Sequence, residues 1–339
     1  MSSTPQPRAV PLTCSGHTRP VVHLEYSDLQ SDNTYTMLSS CKDGNPMLRD
    51  WLGDWVGTFL GHKGAVWSAR LSGGEASYAV TGSADFSAKV WDTYSGQCLH
   101  TFPHNHIVRA VAINAQGTAI LTGGHEKKLR LFDLSRPKSE ASLLTGGPAA
   151  EKGLAHDGNI RSVVWSRGDE NVVVSVGEDK VVRWWDTRSL TVSHEMTFAD
   201  PVLSMERAQT VLGELLTVAS GKDVYFLNLR DHTVLKKYTL DVTPSSVSLH
   251  PLNADRFIAG ETNAGWVRIY DFESGQEREL HKGHHGPVHC VSYSPDGELA
   301  ASGSEDGTIR LWQTWPGKSY GLWGGILLLR FALHILGQF

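Results

Sequence analysis

Cysteine is scarce in this chain, and what there is lies scattered. Cys14, Cys41, Cys98 and Cys290 are far apart in 339 residues, with no Cys-x-x-Cys pair. That spacing fits neither a paired-cysteine zinc module nor a dense disulfide framework. Positive charge is not in excess either. The net charge of −5 argues against the broad basic surface of a general nucleic-acid binder. Residues 1–11 are rich in serine and proline and lack an apolar signal core, and no Asn-x-Ser/Thr sequon occurs. The expectation is an intracellular, reducing compartment. Catalytic fingerprints are missing as well: there is no Gly-x-Ser-x-Gly, no His-Glu-x-x-His and no dinucleotide-binding glycine motif.

What the chain does have is 34 glycines, 11 tryptophans and a recurring phrase. Asp85–Asp92 (DFSAKVWD) is echoed by Asp179–Asp186 (DKVVRWWD) and by Asp306–Trp312 (DGTIRLW). Each copy has a His upstream, in Gly61-His62, Ala155-His156 and Gly283-His284. The position of Trp91 recurs at Arg49, Phe132, Trp185, around Leu227 to Asn228, Tyr270 and Trp312. The usual interval of about 40–45 residues is that of a four-stranded propeller blade. One longer interval is absorbed by the small, flexible stretch Gly146–Gly153, which reads as a surface loop.

Inside a copy, short runs alternate apolar and polar residues, as in Val288–Tyr293, and turns such as Glu305-Asp306-Gly307 join them. Asp-Gly between such runs is a hairpin signal. Seven copies can be counted, the fifth (near 198–229) and sixth (near 241–271) degraded. The last lacks an outer strand after Trp312, and Leu12–His17 (LTCSGH) matches Thr58–His62 (TFLGH). The expected fold is therefore all-β: a seven-bladed propeller over residues 12–323, closed by the N-terminal strand in the last blade. Closure removes the open edges that invite aggregation.

The repeated polar residues suit a buried hydrogen-bond chain in each blade. Three sets are predicted: His62, Thr81, Asp85 and Trp91; His156, Ser175, Asp179 and Trp185; His284, Ser302, Asp306 and Trp312. Buried groups of these types must be paired or they destabilise the fold. His, Ser and Asp also make up a catalytic triad. Recurrence in several blades assigns them to the scaffold instead, and an unrepeated polar set in a pocket is not legible. No enzyme and no cofactor are expected. His281, His284, His285 and His289 lie close together, but no Cys or acidic cluster completes a metal site; His104 and His106 are set aside for the same reason. Gly317-Lys318-Ser319 resembles the end of a phosphate loop, but the earlier glycine it needs is Trp312.

Partner binding must then lie where the copies differ. Trp67 follows the apolar Val66 at the start of an inner strand, and alternation turns it toward the rim around the central channel. The equivalent positions are Val22, Trp67, Arg109, Arg161, Leu203, Ser245 and His289. Trp and Arg are frequent interface hot spots, so this rim is the candidate docking face; packing of Trp67 on a neighbouring loop is the alternative. Trp185-Asp186-Thr187-Arg188 is also similar to the docking box of cullin-type ubiquitin ligase substrate receptors.

The repeats resemble the WD-repeat propeller family across residues 12–323. Non-repeat stretches narrow this further: Leu12–Val22, Lys42–Arg49 (KDGNPMLR), Gly53–Trp67, Ala84–Asp92, Ser294–Thr314 and Gly317–Trp323 (GKSYGLW). Together they resemble the serine/threonine kinase receptor-associated family, also called unr-interacting proteins. The resemblance implies a non-enzymatic adaptor of cytoplasm and nucleus. Its implied partners are Sm-protein assembly factors of the survival-of-motor-neuron complex and RNA-binding proteins, with RNA contacted only indirectly. In animals it also implies transforming growth factor-β receptors and their inhibitory Smad. The small WD-repeat subunit of eukaryotic translation initiation factor three is the sister family and the alternative. Residues 324–339 depart from the family pattern: the apolar run Ile326–Leu336, broken by Arg330 and His334, is short for a membrane span. Its abrupt start after Trp323 reads as a misplaced exon boundary or read-through; a partner-binding helix or a membrane-surface anchor is the alternative.

Overall fold

The computed structural model describes residues 11–146 and 153–314; residues 1–10, 147–152 and 315–339, and with them most of the inserted loop and the apolar tail, lie outside the described residues. The described chain forms seven four-stranded antiparallel sheets and no helix. Blades 1 to 6 are consecutive, over 21–58, 66–103, 108–144, 160–197, 202–239 and 244–282. Blade 7 takes β26 (Val288–Tyr293), β27 (Leu299–Ser304) and β28 (Ile309–Gln313) from one end of the chain and β1 (Leu12–Cys14) from the other. In it Leu12 pairs with Leu311, Thr13 with Arg310 and Cys14 with Ile309.

Burial follows the place of each strand in its blade. The second strands, such as β7 (Tyr78–Ser83) and β15 (Val172–Gly177), are packed on both faces and read as near-continuous apolar or small residues. The outermost strand of blade 4, β17 (Thr191–Thr197), strictly alternates exposed and half-buried positions. The core is correspondingly divided. Seven apolar clusters each lie between two neighbouring blades rather than inside one. Trp91 of blade 2, for example, packs with Leu38 and Leu48 of blade 1. A blade therefore buries its faces only when both neighbours are present, which is why closure matters to every layer.

The inner strands run from the rim to the opposite mouth of the channel. There a cavity of about 360 Å3 is lined by the last residues of all seven inner strands.

Candidate functional site

The register of the sheets makes equivalent positions explicit. The residue four before each inner strand is His17, His62, His104, His156, Phe198, Leu240 and His284 in blades 1 to 7. The facing position on the second strand is Ser39, Thr81, Thr122, Ser175, Val218, Ala259 and Ser302. The third strand contributes Arg49, Trp91, Phe132, Trp185, Leu227, Tyr270 and Trp312.

The three predicted polar sets are each brought together. In blade 2 the Trp91 indole N–H donates to Thr81 Oγ1 at 2.8 Å, His62 Nε2 lies 2.7 Å from that oxygen, and His62 Nδ1 lies 2.8 Å from Asp85. Blade 4 repeats this with 2.8 Å, 2.7 Å and 3.0 Å, and blade 7 with 2.8 Å, 2.7 Å and 3.1 Å. The consistent assignment is an Nδ1–H donating to the carboxylate and a neutral Nε2 accepting from the hydroxyl. The carboxylate also caps the loop: the backbone N–H groups of Lys63, Asp157 and His285 donate to Asp85, Asp179 and Asp306. Burial alone would raise these acids. Hydrogen bonds from the histidine, neighbouring hydroxyls, backbone N–H groups and, for Asp179, Arg183 win, holding Asp179 and Asp306 at about 2 and Asp85 lower still. Burial pushes His156 and His284 below the ordinary histidine value. The His156 and His284 imidazoles thus stay neutral, and in all three blades each hydroxyl is occupied by an indole N–H and a histidine. These are struts, with no free nucleophile.

Two further sets were not legible in the sequence. In blade 1, His17 bridges Asp43 (3.1 Å) and Ser39 (2.8 Å), with Arg49 in place of tryptophan; the Arg49 guanidinium donates to the Gly53 carbonyl at 3.0 Å and to that of Ser15. In blade 3, His104 reaches Thr122 at 2.8 Å, and Glu126 accepts from the Asn105 N–H at 2.7 Å, with Phe132 in the tryptophan position. The positions of Arg49 and Phe132 in the repeat were the available signal. Their chemistry hid the equivalence.

His17, Cys41 and Asp43 also place their ligand-type atoms within 4.8 Å of one another. All three are engaged. Cys41 Sγ donates to the Arg19 carbonyl and accepts from the Asp43 N–H, as the hydroxyls of Ser83 and Ser304 do with their own equivalents. Burial pushes the thiol up to about 12, against a metal-binding thiolate. The four clustered histidines near 281–289 serve different partners: His284 the blade 7 strut, His281 the Trp312 ring (5.0 Å), His289 the carboxylate of Glu305, and His285 the Asp306 carboxylate through its N–H. Trp185 belongs to the blade 4 strut, and beyond it Arg188 folds back onto Asp186 in an exposed ion pair of 2.7 Å.

The rim positions share a geometry that the sequence did not show. Val22, Trp67, Arg109, Arg161, Leu203, Ser245 and His289 are each the residue skipped where inner and second strands slip register. Alternation placed them on the rim, but a β-bulge in every blade aims them, as bulges do where side chains must be redirected. All seven are half-buried. Two cations lie over the Trp67 ring, Arg109 at 4.6 Å and Lys42 at 5.6 Å from its centroid. Arg161 pairs with Glu178 at 3.0 Å.

The opposite mouth holds the unrepeated polar set that sequence reading did not find. Arg70 of blade 2 reaches Glu206 of blade 5 at 2.8 Å and Glu25 of blade 1 at 3.5 Å; His23 lies 3.3 Å from Glu206. Arg167 of blade 4 donates to the Leu71 carbonyl of blade 2 at 3.2 Å. Burial would raise Glu206, but Arg70 and His23 hold it at about 2. These charges tie non-adjacent blades across the cavity.

Comparison with known proteins agrees with the geometry. The WD domain, G-beta repeat family matches residues 53–92, 96–133, 151–186 and 275–313. These segments cover blade 2, the first three strands of blades 3 and 4 and parts of blades 1, 6 and 7, and none lies in blade 5. A Gallus gallus protein named serine-threonine kinase receptor-associated protein is 45% identical over 317 residues, covering 93% of this chain and 86% of the relative. The Dictyostelium discoideum protein of that name is 43% identical over 304 residues, covering 89% and 98%. Eukaryotic translation initiation factor 3 subunit I of Culex quinquefasciatus is 25% identical over 321 residues, covering 89% and 95%. On this near full-length identity, the chain belongs to the serine-threonine kinase receptor-associated proteins, within the WD-repeat propellers.

Proposed function

We propose that the protein is a non-enzymatic scaffold whose rim gathers protein partners, and that it works within the survival-of-motor-neuron complex in spliceosomal small nuclear ribonucleoprotein assembly and mRNA processing. Sm-protein assembly factors and RNA-binding proteins are the partners of this reading, with RNA reached through them. Association with receptor kinases, the property in the relatives' name, is its second arm in an animal cell. The reading places the protein in cytoplasm and nucleus and requires no cofactor. The observation that supports it is the 43–45% identity extending along nearly the whole propeller, in relatives as distant as chicken and Dictyostelium. The seven rim side chains, of six residue types, supply surface for recognition. Among the described residues no helix is long and apolar enough to cross a membrane. Affinity purification of the tagged full chain followed by mass spectrometry tests the proposal. Assembly factors among the recovered proteins are expected; recovery of initiation-factor subunits alone would replace it with the alternative.

A further inference from the structure

One arc of the rim differs from the rest. Phe86 holds a left-handed backbone, φ 65°, where blades 1 and 7 place Gly44 and Gly307. Lys127 and Lys180 hold the same backbone at this turn in blades 3 and 4, so what sets blade 2 apart is the aromatic ring placed there. Phe86 is 45% exposed, so core packing does not account for it. Its ring lies 5.5 Å from His106, which stacks on His125 at 5.0 Å. Arg109 follows, a close enough neighbour to help lower His125, after burial and His106. Arg109 then lies over Trp67, with Lys42 on the same ring.

Three features of this strip remain open to a ligand. Arg109 makes no ion pair among the described residues: the nearby Glu178 is held by Arg161 and by the Asn159 amide at 2.8 Å. The Trp67 indole N–H is buried without an acceptor. Phe86 presents an apolar face to solvent. The Arg109 cation, the N–H donor and the aromatic face complement an acidic segment that carries an apolar side chain.

We propose that the strip Phe86, His106, His125, Arg109, Trp67 and Lys42 docks an acidic linear peptide. Arg109 takes its carboxylate or phosphate, with Lys42, which pairs with Glu305 at 3.9 Å, beside it, and the exposed Phe86 ring packs an apolar side chain. This rests on the rim being the partner-binding face and names the partner's chemistry.

Fluorescence anisotropy with the full chain tests it. The probes are a labelled glutamate-rich peptide with a central phenylalanine, the same peptide with phosphoserines replacing some glutamates, and a lysine-for-glutamate version. Saturable binding of the acidic probes and none of the lysine probe are expected; tighter binding of the phosphorylated probe identifies phosphate as the preferred group, and equal binding the carboxylate. Arg109→Glu should weaken binding by at least about tenfold, while Arg230→Glu, on an exposed turn of blade 5, leaves it unchanged. Phe86→Gly should weaken binding without lowering Tm, since glycine accepts this backbone freely. Undiminished binding by Arg109→Glu, equal binding of the lysine probe, no binding at all, or tighter binding of a labelled oligouridylate overturns the proposal. The titration needs no assembly factor, so its outcome is independent of the purification above.

Discussion

Blades 5 and 6 solve the same packing problem as their neighbours with opposite chemistry. Where blade 4 has His156, Ser175 and Trp185 joined by hydrogen bonds, blade 5 has Phe198, Val218 and Leu227, and blade 6 has Leu240, Ala259 and Tyr270. All six of these replacements are at most 5% exposed. The polar set has been exchanged as a whole. That is the exchange physics permits: removing one partner strands a buried donor or acceptor, whereas replacing all of them by apolar groups of suitable shape is close to neutral. Around blade 6 the gain is an aromatic cluster, with Phe226 5.1 Å from Phe257 and 4.8 Å from Phe272. The two blades are degraded as sequence motifs but complete as packing units.

The comparison predicts where damage is equal and where it is not. Truncating the central ring should cost the same in either kind of blade: Trp185→Ala and Phe226→Ala are each expected to lose roughly 3–5 kcal/mol, measured by denaturant unfolding. A much smaller loss for Phe226→Ala would mean that the apolar blades are loosely packed. Next in size, Asp179→Ala or Asp306→Ala should cost about 1–3 kcal/mol by stranding a buried histidine and a loop N–H. An unchanged melting temperature would sink the strut assignment.

The dependence on pH should separate the two kinds of blade further. Burial holds His104 at about 4 and lowers His17, His156 and His284, so the unfolded chain binds protons that the folded one refuses. Their contribution is complete above the ordinary histidine value of about 6.5 and is lost as pH falls from there toward 4. The depressed Asp179 and Asp306 act lower: their stabilisation is present above about 4 and disappears as pH falls through 2. Tm should therefore decline from pH 7 to pH 4, and His104→Gln should flatten that slope; an identical slope in the variant would contradict the neutral imidazole. The smallest effect is expected for Cys41→Ser, within about 0.5 kcal/mol, because Ser83 and Ser304 already do this work in blades 2 and 7.

How much was readable from sequence follows the same division. Blades 2, 4 and 7 announced themselves because tryptophan, histidine, a hydroxyl residue and aspartate coincide in each. Blades 1 and 3 kept the histidine–hydroxyl bond but replaced the marker ring by Arg49 and Phe132, so only strand register reveals them. The rim was located by alternation, yet its cause, a bulge in each blade, is a property of paired strands that one strand alone does not carry. The ties across the channel were beyond reach for a simpler reason. Arg70 and Glu206 are 136 residues apart and belong to no motif; only ring geometry brings them to 2.8 Å.

The strand that closes the ring has a consequence in time. Leu12–Cys14 is translated about 300 residues before its partners at Ile309–Leu311. At about 5–20 residues per second, the strand waits on the order of 15 to 60 s for its place. For that interval blades 1 to 6 form an arc with two uncovered faces: the Val21 and Leu24 side of blade 1, and the Ile258 and Ile269 side of blade 6. The nascent arc is therefore a client for chaperones, and a ribosome stalled shortly before blade 7 would leave an arc that no later event can complete.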